Sequence, residues 1–256
     1  MRIQARMPGS AAVSIGVGLA LATAIGPAFA GCDDHPAARV DWQGCSKTRL
    51  LLANEDLSDA NLSKADVSAT NFTGAKLARA KLVEGEISFT RFDRADLSKA
   101  DLSKAIGWRV SFAGANLEGA SFSGADLSRA SFAKARLGGA NLAKAELSRS
   151  DFAGADLHDA DMSRAELGRI VLTGAKVSGV NLSFSSLARA DLGGLDLGGV
   201  NLTGAYLFRA QLRGANLSGA KGLTQAQLDI ACGSNATKLP AGLAVPKGWP
   251  CEVDTD

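Results

Sequence analysis

A five-residue period runs unbroken through most of this chain and excludes almost every familiar fold. From Leu57 to Leu217 every fifth residue is apolar with one exception. The 33 sites hold 22 Leu, six Phe, two Val, one Ile, one Met and Gly107. Two residues before most sites stands a small residue, Ala in 22 of the 33. A polar residue, often Asp, Asn or Ser, lies between them, and two more follow, typically Ser and then Gly, Lys or Arg. Ala125-Asp126-Leu127-Ser128-Arg129 shows the full unit. An α-helix turns about 100° per residue, so a five-residue step would scatter these side chains around the axis instead of gathering them in a stripe. Strand alternation fails too, because five is odd. The pattern fits a chain that turns a corner once per unit, with two residues facing in and three facing out.

A second period sets the number of corners. Phe72, Phe92, Phe112, Phe132 and Phe152 recur every 20 residues. If four units close one coil, these rings stack on one another, which is favourable for offset aromatics. Three or five units per coil would scatter them. The expectation is an all-β solenoid of square section with about eight coils, about 40 Å long at about 4.8 Å per rung.

The flanks differ in composition. Residues 1–30 read as a secretory signal peptide: Arg2 and Arg6 are basic, residues 11–26 are uncharged and mainly small or apolar, and Ala28-Phe29-Ala30 has a cleavage pattern. Cleavage is expected after Ala30, which places the chain in the periplasm or outside the cell. Processing as a lipoprotein at Cys32 is the alternative. The uncharged stretch is short for a membrane span, and no transmembrane span is expected once the leader is removed. Subtracting Arg2 and Arg6 from 28 basic residues leaves 26 against 26 acidic ones. A neutral chain lacks the basic footprint of nucleic-acid binding.

The repeat resembles the pentapeptide-repeat family, whose consensus is a small residue, Asp or Asn, Leu or Phe, and two variable residues. The resemblance covers residues 55–220. It implies a right-handed quadrilateral β-helix, an all-β β-solenoid, and a role in protein interaction without shared catalytic residues. The flanks are similar to those of exported bacterial members: Val40-Asp41-Trp42-Gln43-Gly44-Cys45 before the first coil, and Leu223-Thr224-Gln225-Ala226-Gln227-Leu228-Asp229 with Ala231-Cys232-Gly233 after the last.

A solenoid has two raw ends that invite polymerisation, so residues 31–54 and 221–256 are expected to be caps. Trp42 is expected over the first coil. Thr224 and Gln227 read as a capping box that opens a short C-terminal helix through about Ala231, with Gly233 terminating it. Cys32 and Cys45 lie at one end of the rod, and Cys232 and Cys251 at the other. A disulfide needs Cα atoms within about 7 Å, which leaves the pairs Cys32–Cys45 and Cys232–Cys251. Lipidation of Cys32 would instead leave Cys45 single.

Side chains for chemistry are scarce. His35 and His158 have no partners at metal-ligand spacing, and a filled solenoid offers no convergent pocket. No cofactor, metal site or enzymatic activity is expected. One column stands out: Arg109, Arg129, Arg149, Arg169, Arg189 and Arg209 recur every 20 residues and should stack along one edge. Asp126, Glu146, Glu166, Asp151 and Asp191 lie close enough in sequence to make this an exposed salt-bridge ladder. The other reading is a binding stripe, because a guanidinium suits phosphate and carboxylate groups. Phe89, Trp108, Tyr206 and Phe208 share that face, with Phe184 at the preceding corner, and aromatics clustered on one face point to an interface. The Trp108 group coincides with Gly107, where a bulge is expected. The leading function is a non-enzymatic exported scaffold that binds a protein or an anionic envelope component through this face. The alternatives are a structural or stress-tolerance protein without a specific ligand, or a topoisomerase-interacting protein as the resemblance allows. A monomer and a homodimer are both compatible with the repeat.

Overall fold

The computed structural model describes residues 31–251; the expected leader, residues 1–30, and residues 252–256 lie outside them. The chain winds into a four-sided coil in which each residue of a rung pairs in parallel with the residue 20 positions on. Asp41 pairs with Asn61, Ser46 with Asp66, Leu51 with Asn71 and Asp56 with Lys76, and this spacing repeats up the rod. The bonds alternate in direction. At one rung the Leu127 N–H donates to Glu146 O (2.8 Å) and the Glu146 N–H to Ala125 O (2.8 Å). Each corner is closed by a turn, as where the Ala130 N–H donates to Leu127 O (3.1 Å). The second central residue of the turn has positive φ, +62° at Arg129, the signature of a type II turn.

The inward–outward assignment holds at the repeat sites, and of the residues two before them Glu55 is exposed and Ala175 only half-buried. All 33 repeat sites from Leu57 to Leu217 are buried, Gly107 included. The phenylalanines form the expected stack. Ring centroids of Phe72 and Phe92, Phe92 and Phe112, Phe112 and Phe132, and Phe132 and Phe152 lie 5.1, 5.1, 5.0 and 4.6 Å apart, with planes within 12° of parallel. Phe122 enters from the opposite side and meets Phe112 and Phe132 edge-on at 5.5 and 5.7 Å. At Gly107 the missing side chain leaves no hole. A Cβ there would stand 2.6 Å from both Ile87 Cγ1 and Val110 Cγ2, so those larger neighbours fill the space.

The ladder extends beyond residues 55–220 in both directions. Its first rung is Asp41, and one face carries rungs from Asp41 to Lys221, nine coils where the consensus predicted about eight. At about 4.8 Å per rung the rod is about 43 Å long. The extra coil escaped the pattern because Trp42 and Leu52 take inward sites without the small–polar–Leu signature, and Lys47 occupies the inward site between them. The aliphatic stem of Lys47 lies across the open end, with its ammonium 4.1 Å above the Trp42 ring. That ammonium also donates to Cys32 O, and the Trp42 indole N–H donates to Asp34 O (3.2 Å). The Cys32–Cys45 disulfide ties this segment down.

At the other end α1 (Gln225–Asp229) replaces one side of the last coil. Thr224 and Gln227 form the capping box. The Gln227 amide also donates to Leu202 O (2.9 Å) and Ala205 O (2.8 Å), which satisfies carbonyls that the end of the ladder would leave bare. Leu228 is fully buried against the core. Gly233 plays a different part from the one expected. The helix is capped by Ile230, and a Cβ on Gly233 would come within 2.1 Å of the Trp249 ring. Glycine stands there so that Trp249, whose indole donates to Ala231 O (2.8 Å), can close the end. The Cys232–Cys251 disulfide, with Cα atoms 5.4 Å apart, pins that segment.

Two outcomes follow from this packing. Phe132→Ala should cost about 3–5 kcal/mol through the cavity it opens in the stack, whereas Ser128→Ala on the exposed side should change stability by less than about 0.5 kcal/mol; chemical denaturation compares them. Gly233→Ala should displace the Trp249 ring and cost about 1–3 kcal/mol by overpacking, seen as a red-shifted tryptophan emission together with a lower midpoint.

Candidate interaction face

The four corners of the rod differ in composition, and the difference traces to the positive-φ residue of each turn. Glycine is comfortable in this conformation, and other residues pay for it. Three corners use glycine repeatedly, among them Gly114, Gly154 and Gly194 at one corner, Gly119 and Gly139 at another, and Gly124 and Gly204 at a third. The fourth corner has none. From the first coil upward it carries Arg49, Ala69, Phe89 and then Arg109, Arg129, Arg149, Arg169, Arg189 and Arg209, with φ between +54° and +62°. The sequence reading overlooked Arg49, because the repeat consensus starts after it.

Seven cations away from this corner have a carboxylate within 4.0 Å among the described residues: Lys64, Lys76, Arg79, Arg91, Lys104, Arg136 and Lys176. Lys64 and Lys104 flank Glu84 at 3.8 and 3.6 Å. Lys176 lies 3.3 Å from Asp156 and Arg136 lies 2.5 Å from Glu118. Arg79 donates twice to Asp59, at 2.7 and 2.6 Å. Those donations hold the Asp59 carboxyl below its usual range, and the Asp156 carboxyl is lowered chiefly by the hydrogen bond from His158. Alternating sign from rung to rung is what makes such ladders close.

The arginine column behaves differently. Among the described residues, Arg109, Arg129, Arg149 and Arg169 have no carboxylate within 4.0 Å. For these four arginines the salt-bridge ladder expected with Asp126, Glu146, Glu166, Asp151 and Asp191 does not form. Asp126, Glu146 and Glu166 stand three residues earlier in each rung, along the opposite edge of the same face. Asp126 turns to its own loop and accepts from the Ser128 N–H at 3.4 Å.

Aromatic rings close the column at both ends. Trp108 sits edge-on to Phe89 with centroids 5.4 Å apart. The guanidiniums of Arg109 and Arg129 lie 4.4 and 5.8 Å from the Trp108 centroid. At the far end Tyr206 stacks on Phe208 at 6.1 Å, with Arg209 5.9 Å from the Phe208 centroid. Phe89, Ile106, Trp108, Tyr206 and Phe208 are all more than one-third exposed. Phe184 belongs to the preceding corner, where Arg164 covers it at 5.6 Å. The bulge expected at Gly107 does not occur, because Ile106 keeps the 20-residue register with Glu86 and Asp126; what changes there is the turn, where the Trp108 N–H donates to Ser88 Oγ (3.1 Å). Between the aromatic groups the column beside the arginines holds only Ser128, Ser148, Gly168 and Ala188.

Each end also has a hollow. Ser88, Ile106, Gly107, Trp108, Asp126 and Ser128 line a shallow one. A larger one, of about 520 Å³, lies between Phe208, Arg209, Asp229, Ile230 and Trp249. The sequence offered no signal for it, because α1 and the segment around Trp249 meet there only in the folded chain. No group of His, Cys, Asp and Glu suited to a metal ion occurs among the described residues, nor is any helix there long and apolar enough to cross a membrane.

Comparisons place this architecture among known proteins. The family model described as pentapeptide repeats matches eight copies between residues 56 and 221. The crystal structure of HetL, a pentapeptide repeat protein involved in heterocyst differentiation regulation in the cyanobacterium Nostoc, is 31% identical with a TM-score of 0.51. That match covers 78% of this chain and 89% of HetL. QnrB1, a plasmid-mediated fluoroquinolone resistance protein, is 20% identical with a TM-score of 0.54, over 77% of this chain and 92% of its own; it shares the fold. No curated protein matches the sequence.

Proposed function

The chain belongs to the pentapeptide-repeat family, whose members fold as right-handed quadrilateral β-helices, and on that footing we propose that it is a non-enzymatic, exported scaffold that binds a protein or an anionic envelope component through the arginine face. One observation carries the reading. Four arginines of like sign stack on successive rungs without carboxylates, whereas no other corner puts more than two cations on successive rungs. Like charges in adjacent rungs repel, and positive φ adds local strain at each of these positions. An arrangement that costs stability twice over is accounted for by a partner that supplies the missing carboxylate or phosphate groups. Export is supported by the basic and apolar pattern of residues 1–30 and by disulfides at both ends of the rod, which persist in oxidising compartments. N-terminal sequencing of the mature protein is expected to begin at Gly31, and an intact Met1 would remove the case for export.

The backbone supplies an unusually clean variant. Arg149 and Arg169 occupy positive-φ sites of the kind that glycine fills at Gly114, Gly119 and Gly124 on the other corners. Arg149→Gly with Arg169→Gly therefore removes the charge while relieving strain, and stability should change by less than about 1 kcal/mol. Arg79→Gly with Lys99→Gly, also at positive-φ sites, is the matched control on another corner. Both double variants should keep a β-rich circular dichroism spectrum and a similar Tm. Cross-linking to envelope components should fail only for the Arg149/Arg169 pair. Binding by the native chain should weaken with salt, because exposed charges are screened over about 10 Å at 0.1 M. A partner retained equally by both variants would refute the face.

A further inference from the structure

We infer that the arginine face is a docking track for an extended peptide segment of a partner protein, one with two apolar anchors about seven residues apart and alternating acidic and basic residues between them. The inference rests on the interaction face proposed above and specifies the chemistry of its partner.

The two hollows give the anchors. One adjoins Trp108 and Ile106, the other Phe208, Ile230 and Trp249. Both hollows set aromatic and aliphatic side chains beside polar ones, Asp126 and Ser88 in the first and Arg209, Gln211 and Asp229 in the second, a mixed wall that suits an amphipathic aromatic side chain such as tryptophan. Trp108 and Phe208 occupy the same column, five rungs apart. Five rungs span about 24 Å, and an extended chain advances about 3.3 Å per residue, so about seven residues join one hollow to the other.

The two edges of the face give the intervening charges. Arg129, Arg149 and Arg169 line one edge without carboxylate partners, and Asp126, Glu146 and Glu166 line the other. Successive side chains of an extended peptide point to opposite sides. A strand lying along the rod therefore sends every second residue to the arginine edge and the others to the acidic edge. Its backbone passes over Ser128, Ser148, Gly168 and Ala188, which are too short to obstruct it. The acidic edge argues against a simple polyanion or an anionic bilayer, either of which would meet Asp126, Glu146 and Glu166 as well as the arginines.

Gly168 provides a variant that blocks the track without disturbing the fold. Its φ is not positive, and a Cβ there would meet only Ala188 O and Ser148 Oγ, both at 3.7 Å. Leucine at this site fits the rod and rises into the path of the peptide.

The probe is fluorescein-labelled Trp-Glu-Lys-Glu-Lys-Glu-Lys-Trp, titrated with the oxidised mature protein and followed by anisotropy. Saturable 1:1 binding is expected, with about tenfold weakening for Gly168→Leu, for Arg149→Gly with Arg169→Gly, and for the shortened Trp-Glu-Lys-Trp. Arg79→Gly should leave it unchanged. Absence of saturable binding overturns the inference, as does unchanged binding by Gly168→Leu or equal binding by the short peptide. A peptide with glutamate at all six central positions, or phosphatidylglycerol vesicles, binding as tightly as the alternating probe also overturns it, in favour of a plain anion-binding edge. If the arginine variant loses its envelope partner while the peptide fails to bind, the face stands and the track falls. If that variant keeps its partner, the face falls and the track with it.

Discussion

Parallel backbone pairing between residues 20 apart is the constraint on which everything else in this protein depends. Because each rung bonds to the one above, an inserted residue would shift every later side chain off its column. The chain tolerates no such change from Asp41 to Lys221. Where the spacing does change, the rod stops. Gln211 pairs with Cys232, 21 residues on, and Asn216 with Lys238, 22 residues on. The added residues accommodate α1, whose Gln227 and Leu228 cover the last coil. Termination and capping are thus one event in the chain.

The same register turns local choices into columns. A single outward arginine on an ordinary sheet is a surface detail, but here it is repeated at the height of every rung. Side-chain sign then decides what a corner becomes. Alternation, as in Lys64–Glu84–Lys104, gives a self-satisfied ladder. Such exposed pairs are each worth under about 1 kcal/mol, so they tune the surface without holding the rod together. Uniform sign, as from Arg109 to Arg169, leaves a directional array of donors. The cost is tolerable because the core supplies ample stability through the phenylalanine stack and the leucine columns, all removed from water.

Corner geometry adds a second layer. Positive φ is a backbone requirement of the turn, so any residue at that position takes it, whatever its preference. Glycine relieves the strain at a share of the positions on each other corner; this corner has no glycine and keeps it at every rung. Strain retained where a small residue would fit is a recurrent mark of functional positions. The small residues beside the arginines and the aromatics at either end give that edge a shape as well as a charge.

The inward–outward pattern, the four-sided section and the phenylalanine stack were all legible in the order of residues, because a strict period admits a single solution once the backbone must pair with itself. The pairing of the cysteines followed from the length of the rod, since side chains about 40 Å apart cannot meet. Three things became visible only in the folded chain. The first coil uses Trp42, Lys47 and Leu52, whose inward positions follow from pairing with the next rung and not from any consensus of their own. Gly233 matters because Trp249 arrives from 16 residues away to lie against it. Whether Arg149 meets Glu146 or Glu166 depends on how long side chains reach across rungs, a matter of ångströms that residue spacing does not encode. Sequence period determines which way a side chain points; tertiary structure determines what it touches when it gets there.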